Sequence, residues 1–360
     1  MVPRLTRPDP SSGRRRAAAG NRSRPPAATG GLPLPRVHRL PLPTPFPVGP
    51  VNAYLLVGDP LTVVDPGPVY APAREALVKG LGRLGFRPRD LERIFLTHPH
   101  VDHYGLAGEL AAESGAEVAA AAVAAARLGA AGVRGLEGER EAIEELLARS
   151  GAPEGFSTAL FESWSGADVF AVPVKADLCL AEGDVIEGGG VTWRVLHTPG
   201  HSPASLCFLD EAGGRLLSGD TLLPHISSNA LVDFRRAEDG RPTLVRERSL
   251  EALIASLRRL ADLELREVLP GHGEPFGGHR SVVDERLRHH ERRKETVAEV
   301  LRGRGPCPAF QVALALFPEQ GDPMGRFLAL SEVLGHLDLL EADGVVRRHA
   351  DGGVDLYSLA

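Results

Sequence analysis

Directly after the apolar run Ile94-Phe95-Leu96, the stretch Thr97-His98-Pro99-His100-Val101-Asp102-His103 sets four potential metal ligands within six consecutive positions. On an extended segment the i, i+2 spacing of His98 and His100 points both imidazoles the same way. Asp102 and His103 fall where the chain turns into a helix, and aspartate suits an N-cap. All four side chains can therefore converge on one small volume at the end of a strand. Imidazole and carboxylate donors without thiolate select zinc, iron or manganese over copper(I) or a cluster. A single histidine is most simply a solvated or hydrogen-bonded loop residue, but three with an aspartate in this spacing are not.

The surrounding sequence alternates short apolar runs with Asp, Gly or Pro stops. Val51 to Val57 and Leu61 to Asp65 read as strands joined by a Gly58-Asp59-Pro60 turn. A helix is expected over Arg74 to Leu84, a strand through Ile94 to Leu96, and a helix from about Tyr104 to Ser114. Further strands are expected at Asp184 to Ile186, Thr192 to Leu196, Ala204 to Leu209, Arg215 to Leu217 and Arg266 to Leu269. The helix Ser249 to Leu263 carries Leu250, Leu253, Ile254, Leu257 and Leu260 on one stripe. Two series of strands, each closed by helix, imply a layered α/β sandwich with helices outside and active residues on loops at one edge.

Three other regions are set apart. Residues 1–50 are rich in Pro, Arg, Gly and Ser and are expected to form a disordered tail or an over-extended start rather than a targeting signal. Residues 116–170, with a helix at Arg140 to Ala148, are expected to form an insertion or lid. Residues 281–360 read as helix, short helix, helix and hairpin, the pattern of a small winged-helix domain, leaving 51–280 as the main domain.

The formal charge of −6 is unevenly spread: residues 1–57 carry +8, so the remainder carries −14. A body this acidic attracts polyanions poorly unless metal ions or a local basic groove offset it. No run approaches the roughly 18 consecutive apolar residues of a membrane-spanning helix, so no membrane partner is expected. The three scattered cysteines form no CxxC pair, which fits a reducing, cytoplasmic setting. Cys179 and Cys207 read as small core residues.

The segment His98-Pro99-His100-Val101-Asp102-His103 resembles the signature of the metallo-β-lactamase fold superfamily. The other motifs of that family follow in order: Asp65 in Val63-Val64-Asp65-Pro66-Gly67, His201 in Thr198-Pro199-Gly200-His201-Ser202, Asp220 in Ser218-Gly219-Asp220-Thr221, and His272 in Pro270-Gly271-His272-Gly273. The resemblance implies an αββα sandwich over about 51–280 with two divalent metal ions, zinc by expectation, iron or manganese as alternatives. By matched position, His98, His100 and His201 would hold the first ion, Asp102, His103 and His272 the second, and Asp220 both. Asp65 would orient the ligand loop. A hydroxide shared by the two ions would hydrolyse a carbonyl or phosphoryl substrate. Aspartate rather than cysteine at 220 suggests the glyoxalase II, lactonase and nuclease branches, and the intact His100 argues against the oxygen-reducing di-iron members.

The resemblance narrows further to a subgroup with a winged-helix tail that holds glyoxalase II-like hydrolases, thioesterases of polyketide pathways and an endoribonuclease. Hydrolysis of a small thioester or ester is the leading expectation, with Asp102, Asp220 and His225 as the catalytic residues. His225 lies in the loop after Asp220, as a substrate contact, an acid or a packing residue. Tyr104 reads as a helix-start packing residue. The alternatives are an endoribonuclease on single-stranded RNA and a DNA-binding regulator whose metal domain senses a ligand. Against both, Gly325 to Ala342 carries Arg326, Glu332, Asp338 and Glu341, a net negative set. Its Phe327, Leu330, Val333, Leu334, Leu337 and Leu340 follow a core stripe. The tail is therefore expected to be a structural cap or a homodimer element. The Arg286, Arg288, Arg292, Arg293 and Lys294 run, interleaved with Glu285, Glu291 and Glu295, is expected to be a solvated face.

Overall fold

The structure, a computed structural model, describes residues 37–130, 139–236 and 244–360. The first sheet comprises β1 (Val37–Leu42), β2 (Val51–Leu56), β3 (Thr62–Val64), β4 (Arg93–Phe95), β5 (Glu117–Ala121) and β6 (Leu178–Leu180), in that spatial order. From β3 to β6 all pairings are parallel. The chain then builds β7 (Val185–Gly188), β8 (Val191–His197), β9 (Leu206–Asp210) and β10 (Arg215–Gly219), followed by a small pair, β11 (Phe234–Arg236) and β12 (Leu244–Arg246). The strand β13 (Glu267–Pro270) joins β10 in parallel, so the second sheet runs β13-β10-β9-β8-β7.

The sheets pack face to face through an interior shared by both, where the rings of Phe95 and Phe208 stack at 4.8 Å between centroids. Helices α1 (Ala71–Arg83), α2 (Val101–Tyr104) and α3 (Ala107–Ser114) belong to the first half, and α1 seals its sheet with Ala73, Leu77 and Leu81. The expected helix over 104–114 is thus two pieces. The break falls at Gly105, where a Cβ would collide with the Phe170 carbonyl and Pro68 Cα. Tyr104 is buried, as a packing residue should be.

After α4 (Ala125–Ala130), α5 (Arg140–Arg149) and α6 (Phe156–Ser165), the second sheet is covered by α7 (Ser249–Ala261). All five apolar residues of the expected α7 stripe are buried there; each contributes roughly 1.5–3 kcal/mol relative to exposure. The chain ends with α8 (His279–Arg304), β14 (Cys307–Pro308), α9 (Ala309–Leu316), α10 (Pro323–Ala342), β15 (Val346–Asp351) and β16 (Val354–Leu359), the strands ordered β14-β16-β15. These helices share a second core with α5 and α6, in which Trp164 meets Phe327 and Phe156 meets Phe310 edge to face. Among the described residues no helix is long and apolar enough to cross a membrane.

Four expectations are corrected. Val37–Leu42, placed in the disordered tail, is an edge strand whose Leu40 and Leu42 point inward; Pro41 is tolerated because an edge strand has one unpaired side. Residues 1–36 lie outside the described residues. Glu117–Ala121, placed in the insertion, is an inner strand of the first sheet, its alanine side chains too weakly apolar to announce it. Cys207 is buried but Cys179 is exposed, because β6 is a sheet edge. The basic run on α8 is not simply a solvated face. Arg286 is buried and donates to the Leu223 and Pro224 carbonyls, Arg293 pairs with Glu332 at 2.8 Å, and Lys294 pairs with Asp343 at 2.6 Å.

Candidate metal centre

Every residue of the expected ligand set follows a strand and lies at one edge of the sandwich. Asp65 follows β3, the histidine cluster follows β4, His201 follows β8, Asp220 follows β10 and His272 follows β13. Parallel pairing of β3 with β4 and of β10 with β13 brings these strand ends to the same side. Between Asp220 and His272 the approach is so close that a Cβ on Gly271 would collide with Asp220 Oδ1 and His103 Cε1. Glycine there is a condition of the site.

Four of the five rings are oriented by a second partner. Asp65, with φ of 47°, is the only non-glycine of positive φ among the described residues. It accepts from the Thr97 backbone N–H at 2.9 Å, from Thr97 Oγ1 at 2.6 Å and from His103 Nδ1 at 2.9 Å. With the Thr97 hydroxyl donated to Asp65, its oxygen accepts from His98 Nδ1 at 3.0 Å. His201 Nδ1 donates to the Asn229 carbonyl at 2.9 Å and His272 Nδ1 to the Pro50 carbonyl at 2.8 Å. The Nε2 lone pairs of His98, His103, His201 and His272 are thereby aimed into one space.

Two clusters there are able to hold a metal ion: His98, His100 and His201, and Asp102, His103 and His272. In the first, His100 Nδ1 and His201 Nε2 stand 2.9 Å apart. In the second, His272 Nε2 lies 3.4 Å from Asp102 Oδ2. Asp220 lies between them, 3.4 Å from His103 Nε2 and 3.6 Å from both His201 Nε2 and His272 Nε2. Asp65 with His98 and His103 is also close enough to form a cluster, but Asp65 is already engaged by three donors and reads as an orienting residue.

The donors fit a cation. His98 Nε2, His103 Nε2, His272 Nε2 and Asp220 Oδ1 are buried without a hydrogen-bond partner, a costly state for polar atoms unless something charged is to meet them. The electrostatics agree. Burial, reinforced by the neighbouring rings, holds His98 well below the usual imidazole range, and burial with His201 brings His100 down to about 3. Burial also lowers His201. These three rings are thereby held neutral, the state in which an imidazole can donate a lone pair. At His103 and His272 burial opposes the cation but nearby carboxylates, Asp220 foremost, raise both. Burial of Asp220 is outweighed by His103 and His272, which hold it ionised. Those two protons occupy the place that a divalent ion would take.

His225 is exposed on its loop, near Gly273. What sequence reading missed lies on the other side. His100 and Asp102 help to line a cavity of about 300 Å³ walled by Phe46, Ile143, Trp164, Leu231, Val232, Met324, Phe327 and Leu328, with Arg127, Glu139 and Asp233 among its polar residues. These come from loops, from α5 and α6 and from α10; Phe46 falls in the expected tail, Ile143 and Trp164 in the expected insertion or lid, and Phe327 in the expected core stripe. No periodicity signals that they share a space.

Residues 46–272 match the metallo-beta-lactamase superfamily. The chain belongs to that superfamily. A Bacillus subtilis (strain 168) protein named as a probable metallo-hydrolase, YqjP, is 34% identical over 315 residues, covering 86% of this chain and 94% of its own. The crystal structure of a metallo-beta-lactamase family protein from Thermus thermophilus aligns with a TM-score of 0.77 at 33% identity, covering 91% of this chain and 99% of that one. An atrochrysone carboxyl ACP thioesterase from Aspergillus fumigatus is 28% identical over 170 residues, 44% of this chain and 36% of that protein. The superfamily assignment and the His/Asp clusters together make this chain a metallo-hydrolase.

Proposed function

We propose that this superfamily member is a dinuclear metal-dependent hydrolase of a small thioester or ester. The observation that carries the reading is the convergence of unpartnered, buried donor atoms on two sides of Asp220. His98 Nε2, His100 Nδ1 and His201 Nε2 would hold one ion, Asp102, His103 Nε2 and His272 Nε2 the other, with Asp220 serving both. Zinc suits this nitrogen- and oxygen-rich set, with iron or manganese able to replace it. Two such cations, when bound, provide a nucleophile at neutral pH and polarise an acyl oxygen.

The chain's own residues supply the rest. Asp65 fixes the rotamer and tautomer of His103 directly and of His98 through Thr97, while the Asn229 and Pro50 carbonyls do the same for His201 and His272. The largely apolar cavity beside His100 and Asp102 receives the acyl part of the substrate. A thiolate leaves without a strong general acid, so a thioester asks little of the exposed His225. The similarity to a protein named as a thioesterase supports this choice. The α8–β14–α9–α10–β15–β16 tail, winged-helix-like in order, acts as a cap: the acids of α10 are spent on Arg293, Arg246 and Arg348 rather than left to face a partner.

The test is to load the protein with zinc, iron or manganese, count the bound metal, and offer thioesters, esters, lactones and single-stranded RNA. Two equivalents and metal-dependent thioester or ester cleavage are expected. Saturation at one equivalent would remove the dinuclear reading, and RNA cleavage without ester or thioester turnover would replace the substrate class.

A further inference from the structure

We propose that the cavity beside His100 and Asp102 selects an uncharged, linear apolar acyl chain, and that α10 forms its discriminating wall. The inference deepens the hydrolase reading and rests on it. Its first support is continuity: the residues that line the cavity include two members of the ligand clusters, so a substrate whose reacting carbon meets the metal centre has this cavity as its next space. The second is lining. Ile143, Trp164, Met324, Phe327 and Leu328 present apolar surface from three separate helices, and a volume of about 300 Å³ holds on the order of ten groups of water or methylene size.

The third support is charge. Arg127 is the one cation among the described lining residues, and it is already spent: its Nη2 lies 2.8 Å from Asp233 Oδ1 and 3.2 Å from both oxygens of Glu139. Two carboxylates face one guanidinium, so no cation is left over to receive an anionic acyl terminus. An acyl chain ending in a carboxylate would be desolvated against like charge, whereas an alkyl chain displaces water from apolar walls. Trp164 itself is held in place by donating Nε1 to Met324 Sδ at 3.3 Å, which ties α6 to α10 where both line the cavity.

The experiment uses the metal-loaded full chain and N-acetylcysteamine thioesters, which keep the thiol constant while the acyl group runs from acetyl to decanoyl, with glutaryl as the charged counterpart of pentanoyl. We expect kcat/KM to rise roughly three- to fourfold per methylene up to about octanoyl, and glutaryl to fall at least about tenfold below pentanoyl. Leu328→Arg, at a half-buried cavity position, should invert the octanoyl-to-glutaryl ratio; Met324→Arg serves if the first variant does not fold. A second readout needs no turnover. Octanamide, uncharged and unreactive, should change the fluorescence of Trp164 saturably, while the other tryptophan, Trp193, stays silent in the sandwich core. Thioester hydrolysis with a flat acyl-length profile and no octanamide signal would overturn the pocket and leave the hydrolase intact. An octanamide signal lost in Leu328→Arg, without hydrolysis of any thioester or ester, would overturn the hydrolase reading and keep the pocket.

Discussion

The histidines around Asp220 and the pair His290–His336 are comparably buried, yet their ring nitrogens meet opposite surroundings. His336 Nδ1 donates to the Glu332 carbonyl at 2.7 Å, so its Nε2 accepts from His290 Nδ1 at 3.3 Å, and His290 Nε2 accepts from Ser227 Oγ at 3.2 Å. Every nitrogen of that pair is partnered by protein and both rings are neutral. Around Asp220 the outer nitrogens of His98, His103 and His272 are partnered and their inner ones are not, while His100 and His201 meet only each other there. Burial alone therefore does not mark a metal site. Several buried nitrogens left open toward one space, each with its opposite nitrogen pinned, do.

Three experiments would break or sharpen that contrast. The largest effect should come from Asp220→Ala, which removes the carboxylate between the clusters. Metal content should drop and hydrolysis should fall by more than about 100-fold, read by elemental analysis and initial rates. If both metals and turnover survive, the open nitrogens do not form one centre. Next, Asp65→Asn keeps the shape but cannot accept all three hydrogen bonds, so metal affinity should weaken roughly 10- to 100-fold in a chelator competition, with the fold unchanged by circular dichroism.

The smallest effect belongs to the partnered pair and appears in stability. Burial, with His289, Arg286 and Arg293 nearby, lowers His290 to about 4, and burial lowers His336 to about 3. As pH falls below about 6.5 the unfolded chain takes up protons that the folded pair refuses, so stability declines between about 6.5 and 4 and is unaffected above that window. For His290 the loss reaches about 3 kcal/mol. Denaturant melts of the metal-free protein should show His290→Gln with a shallower pH slope than wild type and unchanged metal uptake on reloading. A loss of metal by that variant would show that the pair belongs to the centre after all, through the Ser227–Asn229 loop.

Much of the fold was legible because strands and helices announce themselves locally. The α7 stripe, the C-terminal hairpin and the strands preceding His201, Asp220 and His272 lie within a few residues of where periodicity placed them. The failures have local causes too. The strand Glu117–Ala121 is made largely of alanine, Val37–Leu42 is masked by His38, Arg39 and Pro41, and Arg286 is buried although its helix is among the most charged segments of the chain. In each case tertiary contacts outweigh a weak or contrary local signal.

By itself the sequence determined which residues could meet a cation: a dense His/Asp segment at one strand end and single His or Asp residues at others name the candidates, because ligand chemistry is carried by residue type. Only the tertiary structure decided which nitrogen of His98, His103, His201 and His272 faces the centre, through Asp65, Thr97 and the Asn229 and Pro50 carbonyls. It also decided what lies beside the centre. Ile143, Trp164 and Met324 are far apart in the chain and carry no shared pattern, and they become one wall only when α5, α6 and α10 bury their apolar faces against one another. Burial is a property of the whole chain, whereas donor chemistry belongs to single residues.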